Sequence, residues 1–338
     1  MDSILQRVGA ASDGTGDRSV QLLPVVGSDV LPESEPRLRP LIVQGMHGLG
    51  DNLHQRSVLR ELGKTREIWL ETSWPCVYWD MPAIRCLPRG EQGLRTQLKN
   101  QAREAEAFTR ERPPAGAPVL RVHYPPREVK ERGSVLRAMS HMCGVPPGDF
   151  RLPVKAEWLS KADELLNELK PDRPLMFFRP LVNRKEWTGG LTRNPDEGNY
   201  AELYEMIRRR FFVVSVADLV KDVEWTVGPE AKADAVFHRG ELDIETLFGL
   251  AKRSALLFGA PGFITVMGQA IGTPTVTVFG GYEDKSSFSS GAAFTKWLPI
   301  EPIRPCPCWT HHHNCRKRVD MPKAVHALRD FLKGIGCE

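Results

Sequence analysis

The chain has 338 residues, 41% of them apolar and 26% charged, with a formal net charge of +4 and seven cysteines. That length allows about two domains with separate cores, and the balance is that of an ordinary globular protein, not of a disordered or fibrous one. No run of about eighteen apolar residues is present, so no membrane-spanning helix is expected, and an odd number of scattered cysteines argues against a secreted disulfide framework. The N-terminus lacks a basic-then-apolar leader, which places the expected protein in the cytoplasm. The mild positive charge fits anionic ligands without establishing nucleic-acid binding.

Residues 1–38 are rich in Gly, Ser, Asp and Pro without periodicity and read as a flexible arm. From Pro40 the pattern becomes strand, turn, helix. Leu41-Ile42-Val43-Gln44 runs into the turn Gly45-Met46-His47-Gly48-Leu49-Gly50-Asp51, and Val58, Leu59 and Leu62 then return at helical spacing over Asn52 to Leu62. Such a unit opens a nucleotide-binding α/β domain. Glycines such as Gly48 and Gly50 let the backbone approach a ligand, and the helix start offers unpaired N–H groups. The glycine spacing is not the dinucleotide fingerprint G-x-G-x-x-G. Asp51 has two readings: an acid favoured by the helix dipole, or a functional carboxylate.

Further strands are predicted at Glu67 to Glu71, Ile84 to Leu87 and Val119 to Tyr124, with helices at Leu94 to Glu111, Ser134 to Cys143 and Ala156 to Leu169. Pro171-Asp172-Arg173-Pro174 reads as a hinge separating residues 39–170 from 171–338. Beyond it come a strand at Leu175 to Pro180, a polar loop over 181–198 and a helix from Tyr200 to Arg210. Strands follow at Phe211 to Val216 and Ala235 to Phe237, then a helix from Ile244 to Lys252 and a strand from Ala255 to Phe258. The turn Gly259-Ala260-Pro261-Gly262 opens a helix from Phe263 to Ile271, followed by a strand from Thr275 to Phe279 and a helix from Pro322 to Gly334. Two tandem βαβ series imply an α/β protein with two Rossmann-like, doubly wound parallel sheets facing a cleft. Asp51 and the loops after Phe178 and Phe258 should converge there, at the carboxyl ends of the strands.

Gly48-Leu49-Gly50-Asp51-Asn52-Leu53 resembles the opening motif of the ADP-heptose–lipopolysaccharide heptosyltransferases, glycosyltransferase family 9. Leu242 to Ser254 is similar to that family's helix before its last core strands, and Gly259 to Pro274 to its donor-phosphate loop and helix. Val276-Thr277-Val278-Phe279-Gly280 is similar to its next strand and turn. Cys306-Pro307-Cys308, Cys315 and Met321-Pro322-Lys323-Ala324-Val325 look like its closing segment. The motifs are collinear over residues 40–333. The resemblance implies a GT-B fold, an inverting transfer from a nucleotide-diphosphate sugar and no metal or other cofactor, with the N-terminal domain on the acceptor side and the C-terminal domain holding the donor. Asp51 would be the general base. The departing diphosphate would meet Arg179, Arg184, Lys185 and the backbone at Pro261, Gly262, Phe263 and Ile264, with Glu241 or Glu245 on the ribose. The family's Asp-Ser/Thr-Gly-Pro in the phosphate loop is replaced here by Ala260-Pro261-Gly262-Phe263, and the loop containing Trp187 and Gly189-Gly190 also departs from the family pattern.

Cys306, Cys308, His311, His312, His313 and Cys315 lack paired C-x-x-C spacing and read as a structural cysteine-containing loop rather than a metal site. Trp74 and Trp79 read as core residues or as stacking surfaces for a sugar or base. Arg103, Arg110, Arg112, Arg127 and Arg132 read as exposed helix surface. The acceptor divides the functional readings: a saccharide or lipid-linked saccharide, or a hydroxymethylated base in DNA. A non-catalytic nucleotide-sugar-binding protein is the reading of a different class.

Overall fold

The computed structural model describes residues 39–90, 93–185, 193–289, 296–310 and 315–337. The arm 1–38, Trp187, Gly189-Gly190 and His311 to His313 lie outside the described residues. Leu38–Glu338 form one compact unit.

Its first half begins with β1 (Arg39–Gln44), α1 (Leu49–Leu62), β2 (Arg66–Thr72), β3 (Ile84–Pro88), α2 (Arg95–Arg103) and β4 (Val119–Arg121). Three helices follow: α3 (Pro126–Arg132), α4 (Val135–Met142) and α5 (Ala156–Leu169). The strands form a parallel sheet in the order β3-β2-β1-β4. The second half comprises β5 (Leu175–Phe178), β6 (Val182–Arg184), α6 (Glu197–Arg208), β7 (Phe212–Val216), β8 (Glu224–Thr226), β9 (Ala235–Phe237) and α7 (Ile244–Arg253). It closes with β10 (Leu256–Gly259), α8 (Phe263–Ile271), β11 (Thr275–Val278), β12 (Trp297–Ile300) and α9 (Met321–Gly334). Six of these strands form a second parallel sheet, β12-β11-β10-β5-β7-β9, while β6 and β8 pair antiparallel beside it.

Burial explains the strand sequences. Leu-Met-Phe-Phe in β5 and Leu-Leu-Phe-Gly in β10 are buried along their whole length, because helices cover both faces of a central parallel strand. One core cluster joins Val43, Leu53 and Leu70 of the first half to Phe177, Phe248 and Leu257 of the second. The opposite face of the second sheet has its own cluster, with Phe178, Tyr204, Phe258 and Leu328.

Several features depart from the expected elements. Strands β6, β8 and β12 form where none was expected, β6 inside the stretch read as a polar loop. The polar helix ends at Arg103, well before Glu111. A helix begins at Pro126, between the expected strand and the expected helix at Ser134, since proline at the first helical position loses no intrahelical bond. The hinge at Pro171 follows α5, yet α5 packs on α7: Trp158 stacks on Phe248 at 5.7 Å and Arg253 pairs with Asp163 at 2.6 Å. Trp158 also meets Trp79 edge-on at 6.4 Å, so this helix ties the two halves together. No described helix is long and apolar enough to cross a membrane.

Candidate active site

The turn after β1 ends at Gly48, the extended cap of α1, which leaves Asp51 at the third helical position. Its half-buried carboxylate stands over the N-terminus of the helix and accepts a hydrogen bond from the Tyr124 hydroxyl at 2.8 Å. Burial raises its pKa above the ordinary carboxylate value. The Tyr124 hydroxyl and the Arg193 guanidinium, both of which favour the charged form, oppose that rise.

A second helix start faces the first. The backbone of Gly262 has φ 147° and ψ −149°, a region that glycine alone occupies readily, and from it α8 begins at Phe263. A Cβ on Gly50 would stand 3.2 Å from the Phe263 Cα, so the absence of a side chain there lets the two helix ends meet. Two positive helix ends in one cleft repel each other unless negative charge lies between them. Asp51 supplies part of it and leaves the cleft suited to a further anion.

Both ends open on one cavity of about 450 Å³. Gly48, Gly50, Asp51, Arg179 and Arg184 line it, as do Pro261, Gly262, Phe263 and Ile264. The Arg179 guanidinium lies over the Phe263 ring at 5.2 Å. Lys185 is not brought there. Its side chain is exposed, outside the cavity lining, and its backbone N–H donates to the Val223 carbonyl at 2.8 Å. Glu241 is also displaced: it accepts from the Arg239 backbone N–H at 2.8 Å and faces a neighbouring groove. Glu245, in that same groove, is engaged by Lys161 at 2.5 Å. Arg127 and Arg132 pair with glutamates four residues away along α3, as solvated helix surface does, and Arg110 pairs with Glu106 in the exposed segment beyond α2.

Sequence reading missed five residues of this site. Tyr124 follows β4, the strand beside β1, and the rule that ligands sit beyond strand carboxyl ends would have marked it. Arg193 and Glu283 line the cavity and pair at 2.6 Å, joining segments ninety residues apart. Glu224, 2% exposed, holds Arg184 at 3.0 Å and both Arg179 and Arg95 at 3.5 Å. The β6–β8 register sets Arg184 directly opposite Glu224. His54 lies one helical turn after Asp51, lines the cavity and is 2% exposed.

Burial lowers the His54 pKa from 6.5 to about 4. The native state therefore binds fewer protons than the unfolded state between those values, and His54 makes stability fall as pH drops through that window. Urea unfolding at pH 7.5 and 4.5 should show the unmodified chain losing up to about 3 kcal/mol more than His54→Gln. Equal losses would show that His54 is not held neutral by burial.

A smaller cavity of about 210 Å³ adjoins the first and shares Gly48, Leu49, Arg179 and Phe263 with it. Trp74, Phe237 and Leu247 make its wall mostly apolar. Trp74 is fixed by donating from Nε1 to the His47 carbonyl at 2.8 Å, whereas Trp79 is partly exposed beneath Lys155 at a distance of 5.0 Å.

The sulfurs of Cys306, Cys308 and Cys315 lie within 4.8 Å of one another, a convergence that the C-x-C spacing did not foretell.

No protein-family model and no curated protein matches the chain. Solved structures do. A glycosyl transferase family 9 protein from Veillonella parvula is similar at a TM-score of 0.58 and 14% identity, with 89% of this chain and 99% of that one covered. The ADP-heptose lipopolysaccharide heptosyltransferase II of E. coli is similar at 0.54 and 13% identity, covering 87% of this chain and 99% of that one. The dodecameric iron-containing heptosyltransferase TibC of E. coli, in complex with ADP-D-β-D-heptose, is similar at 0.56 and 14% identity, covering 89% and 77%. With two parallel sheets meeting across an anion-suited cavity, the chain has the GT-B-type fold of the family 9 glycosyltransferases.

Proposed function

We propose that the chain is an inverting glycosyltransferase that moves a sugar from a nucleotide diphosphate to a saccharide hydroxyl, with Asp51 as the general base. One observation carries this reading. The Asp51 carboxylate, held by Tyr124, lines the same cavity as the N-terminus of α8 and the guanidinium groups of Arg179 and Arg184.

The donor diphosphate lies against the N–H groups at the start of α8, with Arg179 and Arg184 opposite the charge that builds as it leaves. The nucleobase occupies the adjoining apolar cavity beside Trp74 and Leu247. The acceptor enters from the side of His47 and Tyr124. Asp51 takes the hydroxyl proton as the oxygen bonds to the anomeric carbon and the diphosphate departs from the opposite face, which inverts that carbon. Arginines and helix ends receive the leaving-group charge, so the reacting centre itself asks for no metal.

A thermal-shift screen of ADP-, GDP- and UDP-sugars, with ADP-heptose among them, followed by transfer assays, tests the reading. One nucleotide series should stabilise the chain by about 2.7 kcal/mol at a hundred times its Kd, and that series should be turned over with inversion. Indifference to every nucleotide sugar and nucleoside diphosphate would defeat it.

A further inference from the structure

Outside the cleft, the segment after β12 gathers three cysteines. The Cys308 and Cys315 sulfurs are 3.4 Å apart, and the Cys306 sulfur lies within 4.8 Å of both. Thiolates bound tetrahedrally to one zinc ion at about 2.3 Å stand about 3.8 Å from one another. The Cys308–Cys315 separation of 3.4 Å lies close to that value, and the third sulfur is within 4.8 Å of both. A disulfide, with sulfurs at about 2.05 Å, would join two of the three and leave the third without a role.

The surrounding backbone supports a clamped turn. The Cys308 N–H donates to the Cys306 carbonyl at 2.5 Å, and Trp309 is held at φ 57°, a left-handed conformation that a bulky side chain rarely adopts. Its N–H donates to the Tyr282 carbonyl at 3.2 Å, and its ring packs at 5.6 Å from Tyr282 and 6.4 Å from Tyr124. Arg316-Lys317-Arg318 follow directly and bring positive charge to a centre that three thiolates and a divalent ion would leave net negative.

We propose that Cys306, Cys308 and Cys315 form a structural site for a thiophilic divalent metal, zinc or ferrous iron, whose binding clamps the Trp309 turn against Tyr282 and Tyr124. Each thiol gives up its proton to solvent as its sulfur bonds the ion, and no electron is transferred. The site takes no part in the sugar-transfer chemistry, and the proposal stands or falls apart from that reading.

The full chain, stripped with chelator under reducing conditions, is titrated with Zn²⁺ alone and, in a separate arm, with Fe²⁺ alone. One of the two should bind at one equivalent per chain, raise the Tm and slow alkylation of Cys306 and Cys308 several-fold by peptide mapping. Cys308→Ser should abolish stoichiometric uptake, and Cys337→Ser, outside the cluster, should keep it. Should Cys308→Ser fail to fold, titration and alkylation of the unaltered chain still decide. Uptake of neither metal, unchanged alkylation, or a Cys308–Cys315 disulfide in metal-free chain isolated without oxidant would each overturn the proposal.

Discussion

Asp51→Asn is expected to leave donor binding intact and to lower transfer by about 10²- to 10⁴-fold, the range that a positioned general base contributes. Asparagine keeps the shape and accepts the Tyr124 hydrogen bond through its amide oxygen, but it cannot take the acceptor proton. The pH profile supplies the sign. Burial holds the Asp51 pKa above the ordinary carboxylate value, so activity should fall as pH drops through that raised value. Tyr124→Phe removes a hydrogen bond that favours the charged form, which raises the pKa further and moves the acidic limb of kcat/KM to higher pH. Donor titration by calorimetry beside steady-state kinetics separates the two effects. Turnover unchanged in Asp51→Asn, or an acidic limb unmoved in Tyr124→Phe, would remove Asp51 as the base.

The second large effect is expected at Glu224, which carries no chemistry itself. Its buried carboxylate faces the guanidiniums of Arg95, Arg179 and Arg184. Removing one partner of a buried ionic cluster leaves like charges desolvated together, a loss of about 3–5 kcal/mol. Glu224→Gln should therefore lower the urea midpoint sharply, while Glu224→Asp recovers part of the loss. If Arg179 and Arg184 face the donor phosphates, inorganic pyrophosphate should stabilise Glu224→Gln more than the unmodified chain, because the anion takes over the missing charge. Equal stabilisation of the two proteins would place both arginines outside the anion site.

The same residues show where linear reading reached its limit. Local signals located Asp51 and Gly262 without a structure. An apolar run broken by glycines and followed by helical periodicity defines a strand-turn-helix wherever it occurs, and the carboxyl-end rule then says which end of the sheet it serves. Both parallel sheets were legible for that reason, and so were most strand and helix positions. Lys185 was expected at the site from its place in the loop after Phe178, and Glu241 from the family resemblance, and neither ground says where a side chain points. Lys185 is exposed outside the cavity lining, and a local hydrogen bond holds Glu241 beside a different groove.

What the sequence by itself determined was the α/β fold class, the order of most of its elements and the place of an acid at the start of the first helix, because these depend on patterns a few residues long. The tertiary structure alone decided the partners: Tyr124 on Asp51, Glu224 under Arg179 and Arg184, Glu283 on Arg193, and three sulfurs within reach of one ion. Those contacts join segments mostly 40 to 90 residues apart, or depend on how one loop turns. Charge pairing and ligation act through space over a few ångströms, and no periodicity along the chain records which distant residues folding will bring that close.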